Sequence, residues 1–102
     1  MTSAQQFEPA AITVSVGEPV VFVNDSGEVH TVTADEDALP EGTNYFASGG
    51  FENEADARAN PRGGFILDGE DYSVEFDEPG TYNFFCIPHE SSGMRGSIVV
   101  EG

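Results

Sequence analysis

The sequence predicts an all-β fold, a sandwich or barrel of seven to eight short strands. Three observations support this: apolar and polar residues alternate over short segments, turn signals separate these segments, and the chain has 12 glycines and six prolines. A period of two is typical of a strand with one buried face. Many short strands joined by Gly- and Pro-containing turns are typical of sandwiches and barrels. At 102 residues, the chain is expected to form one domain over residues 1–102.

Three strands are predicted in the first half of the chain. Residues 11–16 alternate strictly between apolar and polar types, which predicts a half-buried strand. Residues 20–23 are apolar throughout, which predicts an inner strand with both faces buried. Residues 28–34 alternate again and carry His30. Ahead of these strands, residues 1–10 are expected to form a leading arm or a short first strand.

Segment 35–64 is expected to be a long loop that contains a short helix. No strand period is present here, and prolines and glycines are frequent. The helix is predicted at 51–59 and should end before Pro61, because the residue before a proline avoids helical backbone angles. The larger apolar residues predict that the segment packs against the rest of the chain; they are Leu39, Tyr45, Phe46 and Phe51.

Four further strands are predicted in the second half, at 65–68, 72–76, 81–86 and 96–100. Within 81–86, the side chains of Tyr82, Phe84 and Cys86 fall on one face of the strand. We therefore expect Cys86 to point inward at the end of this strand.

The candidate metal ligands lie in a short segment with the spacing C-x2-H-x4-M. Cys86 is the only cysteine, His89 is one of two histidines, and Met94 is the only methionine after the first residue. The other histidine, His30, lies far upstream in a predicted strand. Two histidines, a cysteine and a weak axial methionine are the ligands of blue-copper electron-transfer sites. The sequence therefore predicts one copper ion held by these four residues.

Each of these residues has a simpler interpretation when taken alone. A lone cysteine is usually a small buried hydrophobe, and a lone methionine usually fills gaps in a core. A histidine near a turn is usually a surface residue. Together, however, all the strong copper-type donors inside the chain fall into one workable set. Zinc is a weaker alternative, because it favours four good tetrahedral donors and a thioether is a poor one.

An enzyme is also a weaker alternative. Cys86 and His89 would need an orienting third group and an oxyanion site to act as nucleophile and base, and the sequence indicates neither. In a copper enzyme, Met94 would occupy the axial side and leave no open position. The acidic runs at 35–37 and 68–71 lack the twelve-residue pattern of a calcium loop, so we interpret them as solvated surface.

The charge of the chain is strongly negative. It has 19 acidic residues, three arginines and no lysine, for a net charge of −16. Nucleic-acid binding requires a basic footprint and is excluded on this ground. Such self-repulsion disfavours the compact state in dilute salt, so the composition favours a protein from concentrated salt over an acidic protein from an ordinary environment. The sequence contains no run of 18 apolar residues, so it predicts no membrane-spanning helix.

These motifs together resemble the plastocyanin family of small blue copper proteins, and most closely the halocyanins of salt-loving archaea. The resemblance covers nearly the whole chain, and its most specific part is the ligand spacing. The motifs that carry it are Gly17-Glu18-Pro19-Val20-Val21-Phe22-Val23-Asn24, Val29-His30-Thr31-Val32, Pro79 through His89, and Gly93-Met94-Arg95-Gly96.

The resemblance implies a Greek-key β-sandwich, cupredoxin-like, that carries one copper cycling between Cu(I) and Cu(II). It implies an electron carrier and no enzyme, which shuttles electrons between a donor and an acceptor redox protein of a respiratory or photosynthetic chain. A monomer is expected, outside the cytoplasm on the outer membrane face or in a periplasm-like space. Met1 is compatible with a mature domain whose leader or lipid anchor, and with it a membrane association, has been removed.

The resemblance also implies that the loop histidine, His89, is the electron outlet within an apolar ring. We expect Pro88 and Leu39 in that ring, together with Ile87 or Phe46. Many family members have asparagine after the first histidine, where it ties the two ligand loops together. The residue here is Thr31, so its hydroxyl is expected to remake that tie.

One alternative from a different class stays open at this point, a non-redox acidic binding module with an immunoglobulin-like sandwich. The strand pattern alone permits it.

Overall fold

The computed structural model describes residues 7, 11–40, 43 and 45–102. Within these, the strands are β1 (Ala11–Ser15), β2 (Val20–Val23), β3 (Thr33–Ala34), β4 (Asp71–Val74), β5 (Gly80–Phe85) and β6 (Arg95–Glu101), and the α-helix is α1 (Glu54–Ala59). One sheet has the strand order β1-β6-β5-β3, and a second sheet pairs β2 with β4. β1 runs parallel to β6, and the other pairs are antiparallel. This mostly-β, two-sheet architecture confirms the predicted fold class.

The described residues contain six strands, where the sequence predicts seven to eight. Of the predicted strand 28–34, only β3 forms, while the predicted strand 65–68 is reduced to an antiparallel bridge between Ile66 and His30. The reason lies in the next backbone amides, which donate to side chains: Thr31 N–H donates to Cys86 Sγ, and Val32 N–H to Ser48 Oγ. The prediction for 1–10 lies outside the described residues, apart from Phe7.

The prediction that residues 20–23 form a strand buried on both faces is wrong. Val20 is buried, but Val21 is 51% exposed and Val23 is 53% exposed. β2 and β4 form a separate two-stranded sheet, and β2 turns one face, with Val20 and Phe22, towards the core and the other face outward. The outward valines fit the preference of β-branched residues for a pleated strand, which does not require burial.

Aromatic side chains join the two sheets through the core. Phe84 of β5 contacts Phe22 of β2, with ring centroids 5.1 Å apart and nearly perpendicular rings. Phe7 contacts Phe84 from another side, at 4.7 Å. Tyr82 and Phe84 are almost fully buried, as their alternation along β5 predicts. Each such burial contributes about 1.5–3 kcal/mol before the entropy cost is counted, so β5 is held firmly where it leads into Cys86.

Segment 35–64 packs against the sandwich, as predicted. Phe46 is buried against Phe76, with ring centroids 5.2 Å apart. Asn53 caps α1 by accepting a hydrogen bond from Asp56 N–H at 2.8 Å. The helix ends at Ala59, before the proline at position 61, as predicted. None of the helices in the described residues is long and apolar enough to cross a membrane.

Candidate metal centre

The chain segments that carry the candidate ligands meet at one end of β5. Cys86 follows directly after β5 and donates its backbone N–H to Met94 O at 3.0 Å. Residues 87–94, the ligand loop, contain a short 3₁₀ segment (Ile87–Ser92) with a kink at His89. Gly93 ends it with φ at 82°, a left-handed conformation that disfavours side chains. The loop then returns the chain to β6 at Arg95.

The structure brings the predicted ligands into one site. The donor atoms of His30, Cys86 and His89 all lie within 4.8 Å of one another. Cys86 Sγ lies 3.5 Å from His89 Nδ1 and 3.8 Å from His30 Nδ1. Met94 is fully buried in the same core cluster as Cys86, and its N–H donates to His89 O at 3.3 Å. The thiol and the two imidazoles therefore meet at one end of the sandwich, and the Met94 side chain belongs to the buried core cluster that also contains Cys86.

The four residues differ in exposure. His30, Cys86 and Met94 are each 0% exposed, whereas His89 is only half-buried. This agrees with the expectation that Cys86 points inward, and it leaves the loop histidine as the most exposed of the four.

A hydrogen-bonded relay fixes the proton on His30. Asn24 is fully buried, and its Nδ2 group donates to the carbonyl oxygens of Glu28 and Ile66, both at 2.7 Å. This orients Asn24 Oδ1 towards Ser26, whose hydroxyl lies 2.7 Å away and donates to it. Ser26 Oγ is then an acceptor for His30 Nε2, 2.9 Å away. In the neutral imidazole of His30 this hydrogen bond places the proton on Nε2, so that Nδ1, 3.8 Å from Cys86 Sγ, carries the lone pair.

Sequence reasoning missed Asn24 and Ser26 as parts of the site. Their positions in Asn24-Asp25-Ser26-Gly27 are typical of a turn, and the chain bends at 26–28. The available signal was a pair of polar side chains, six and four residues before a candidate ligand, directly after an apolar strand.

Burial and hydrogen bonding act in opposite directions on the ionisation of the Cys86 thiol. Burial raises the pKa of the thiol, and this is the largest effect. Backbone N–H groups of Thr31 and His89 act in the opposite direction, with Thr31 N–H 3.3 Å from the sulfur. A buried thiolate with N–H donors but no cation beside it is suited to metal binding, because the metal supplies the missing positive charge.

Thr31 makes the tie that the sequence predicts for it. Its Oγ1 accepts a hydrogen bond from Ile87 N–H at 2.9 Å, while its own N–H donates to Cys86 Sγ. The residue after His30 thus joins the segment of the first histidine to the ligand loop on both sides of the cysteine sulfur.

The prediction that Leu39 belongs to the ring around His89 is wrong, and of the two alternatives Ile87 and Phe46, Phe46 is excluded. The next residue after Leu39, Pro40, packs against Gly80 at the first residue of β5. Cys86 lies beyond the other end of this strand, about 20 Å away at the usual rise per residue. Phe46 is 7% exposed and is covered by the core, so it forms no part of a surface ring. Pro88 and Ile87 remain beside His89, with Pro88 exposed.

The donor set fits copper better than other common metals. A thiolate and a thioether are soft donors, and two imidazoles serve both oxidation states of copper. No carboxylate belongs to the cluster found in the described residues, which disfavours calcium and magnesium.

Comparisons with known proteins agree with this geometry. Residues 2–101 match the family described as "Copper binding proteins, plastocyanin/azurin family". The chain is similar to a plastocyanin of Scenedesmus fuscus, with 39% identity over 100 residues that cover 98% of this chain and 91% of the relative. It is also similar to a plastocyanin of Lactuca sativa, with 40% identity over 94 residues, 92% of this chain and 86% of the relative.

A solved structure shows the same fold. The oxidized plastocyanin of Dryopteris crassirhizoma superposes with a TM-score of 0.66 and 27% identity, over 94% of this chain and 88% of that chain. The two-sheet arrangement described above is thus the cupredoxin fold. From the family match and the convergent cysteine, histidines and methionine, the chain belongs to the plastocyanin/azurin family of copper-binding proteins, whose members are electron carriers rather than enzymes.

Proposed function

We propose that residues 1–102 act as a single one-electron carrier domain of the halocyanin type, with one copper ligated by His30, Cys86, His89 and Met94. The observation that carries this proposal is the convergence of Cys86 Sγ with both imidazoles inside 4.8 Å. When bound, copper supplies one-electron chemistry between Cu(I) and Cu(II). The fully buried Met94 would supply a fourth, weak thioether donor.

The protein residues hold these donors in place. Asn24 and Ser26 orient His30, and the amide and hydroxyl of Thr31 join Cys86 to the ligand loop. Pro88 lies in the first turn of that loop and restricts its backbone. Fixed ligands need little rearrangement when the charge of the site changes, which favours fast electron transfer. His89 is the half-buried member of the set and offers the shortest route to the surface.

The proposed partners are a donor and an acceptor redox protein of a respiratory or photosynthetic chain. The proposed location is extracytoplasmic, at the outer face of the membrane or in a periplasm-like space, with a lipid anchor on the native protein and a monomeric folded domain. Halocyanin character is supported by the net charge of −16 and the absence of lysine.

The ligand assignment is tested by adding Cu(II) to the copper-free protein and recording its visible spectrum. An intense charge-transfer band is expected in the wild type. Cys86→Ser should abolish that band, because a hydroxyl cannot provide thiolate-to-copper charge transfer. A wild type without the band would favour the non-redox binding module, and an unchanged band in Cys86→Ser would refute the assignment of the cysteine.

The halophile assignment is tested by thermal unfolding in low and molar salt. Salt screens repulsion beyond about 10 Å at 0.1 M and about 3 Å at 1 M. The melting temperature of this acidic protein should therefore rise strongly with salt, and a flat profile would contradict the assignment.

A further inference from the structure

Three residues that are sequence neighbours of the proposed ligands come together outside the metal site. Phe85 precedes Cys86, Glu90 follows His89, and Arg95 follows Met94. Arg95 Nη2 lies 3.0 Å from Glu90 Oε2, and the Arg95 guanidinium lies 5.7 Å from the centre of the Phe85 ring. One cluster thus contains a sequence neighbour of each of the three ligands that Cys86 and the ligand loop supply.

Arg58, from α1 in segment 35–64, closes this cluster. Its Nη1 and Nη2 groups donate to both oxygens of Glu90, at 2.7 and 3.0 Å. Its guanidinium carbon lies 4.4 Å from the centre of the buried Phe85 ring. A bidentate arginine–carboxylate pair combined with ring stacking fixes orientation as well as distance.

Further contacts, within α1 and with the segment that follows β3, fix the side chain of Arg58. Its Nε donates to Glu54 Oε2 at 2.7 Å, one turn earlier in α1. The backbone of Glu54 donates to Glu36 Oε1 at 2.8 Å, and the Glu36 N–H donates to Glu54 Oε1 at 3.0 Å. The start of α1 is thereby fixed to the segment that follows β3. Isolated surface ion pairs contribute little stability, but a network anchored at both ends restrains a loop.

We propose that Arg58 is a positioning residue for the copper site: it clamps the ligand loop in its binding conformation before the metal arrives. The inference rests on the proposed function, because it takes His89, Cys86 and Met94 as ligands. It assigns segment 35–64 the role of supporting the ligand loop from outside. Two of the chain's three basic residues serve this cluster, although the chain is otherwise strongly acidic.

Three variants separate geometry from charge. Arg58→Gln removes both the positive charge and the paired guanidinium hydrogen bonds to Glu90. Arg58→Lys keeps the charge but cannot reproduce the bidentate contact or the stacking on Phe85. Arg62→Gln is the matched control, because Arg62 is an exposed arginine in the same segment and lies outside the cluster. It changes the net charge of the protein by the same amount as Arg58→Gln.

The first measurement is amide hydrogen exchange of the full chain without copper, at His89, Gly93 and Met94. Their N–H groups bond within the loop region, so their exchange reports its opening. Both Arg58 variants should exchange up to about fivefold faster than wild type, because an exposed ion pair contributes up to about 1 kcal/mol. Arg62→Gln should match wild type.

The second measurement is the electron paramagnetic resonance spectrum of the copper-loaded oxidised proteins, together with the rate of copper loss to a chelator. Both Arg58 variants should alter the copper hyperfine splitting and lose copper faster, whereas Arg62→Gln should do neither. A general loss of stability would not change the spectrum of the folded, loaded protein.

Glu90→Gln provides a second way to break the clamp, from the loop side, and should act in the same direction as Arg58→Lys. If Arg58→Lys behaves as wild type in exchange and spectrum, the clamp is overturned in favour of a simple charge effect. If neither Arg58 variant nor Glu90→Gln differs from Arg62→Gln, the clamp is also overturned. Failure of the wild type to bind copper would refute the proposed function instead, while exchange in the copper-free chain still tests the clamp.

Discussion

The two histidines of the metal centre are held in opposite ways. His30 is fully buried, and side chains fix it through Ser26 and the buried amide of Asn24. His89 is half-buried, sits at a kink in a 3₁₀ segment, and is held by backbone hydrogen bonds on both sides. The inner histidine therefore belongs to the packed core, and the outer one belongs to a loop.

This difference separates two requirements of an electron carrier. One side of the site has to be rigid and dry, because buried donors with satisfied partners tune the metal and exclude water. The other side has to reach the surface, because electrons pass to and from partner proteins there. The cluster of Arg58, Glu90 and Arg95 stiffens the loop around the outer histidine without covering the histidine with core residues.

The largest expected effect comes from removing each imidazole in turn. His89→Gly and His30→Gly should both lose the intense visible band in the copper-loaded protein. Free imidazole added to the solution should restore the band in His89→Gly, because the vacated space opens towards solvent. It should not restore the band in His30→Gly, whose space is enclosed by core residues. The rescue is measured by titrating each variant with imidazole and recording the visible absorption. Equal rescue of both variants would contradict the assignment of His30 as the enclosed histidine and His89 as the histidine near the surface.

A smaller effect is expected from Ser26→Ala, which removes the acceptor for His30 Nε2–H but leaves the imidazole in place. A buried N–H without its partner costs about 1–3 kcal/mol, and loss of such a supporting contact typically lowers metal affinity by about 10–100-fold. Copper affinity, measured by competition with a chelator, should fall in this variant. Ser91→Ala, an exposed serine beside the outer histidine, is the control and should retain wild-type affinity. Equal affinities for the two variants would show that the relay does not position His30.

Sequence reasoning predicted the donor cluster that the structure brings together, because most of its signal is local. Cys86, His89 and Met94 are close in sequence, and His30 is the only other histidine, so composition left few alternatives. The same holds for α1, which has a cap at Asn53 and a proline as its end signal.

The remaining features depend on contacts between distant parts of the chain. In the sequence, Asn24 looks like an ordinary turn residue. Its role in orienting Ser26 depends on the hydrogen bond that its Nδ2 group donates to Ile66 O, 42 positions away. Arg58 and Glu90 are 32 positions apart, and no local pattern pairs them. The apolar run 20–23 gave a wrong prediction of burial, because two valines on the outward face follow strand preference alone.

The smallest expected effect concerns the surface around the outer histidine. Pro88 is exposed beside His89, whereas Pro79 is exposed at the opposite end of β5, next to Gly80. Pro88→Asp and Pro79→Asp therefore add the same charge, with the same loss of a proline, at the two ends of one strand. In molar salt, repulsion is screened beyond about 3 Å, so a new carboxylate matters only where two proteins touch.

Electron self-exchange in molar salt should be slowed by Pro88→Asp and left unchanged by Pro79→Asp. The expected factor is about ten, the lower part of the range over which association rates vary among variants of one interface. The copper spectrum should be the same in both variants, because neither substitution changes a ligand. Equal slowing would indicate a contact surface that is not centred on His89. No slowing in either variant would mean that electrons leave the site without close contact at Pro88, and that the half-exposed histidine is not the outlet.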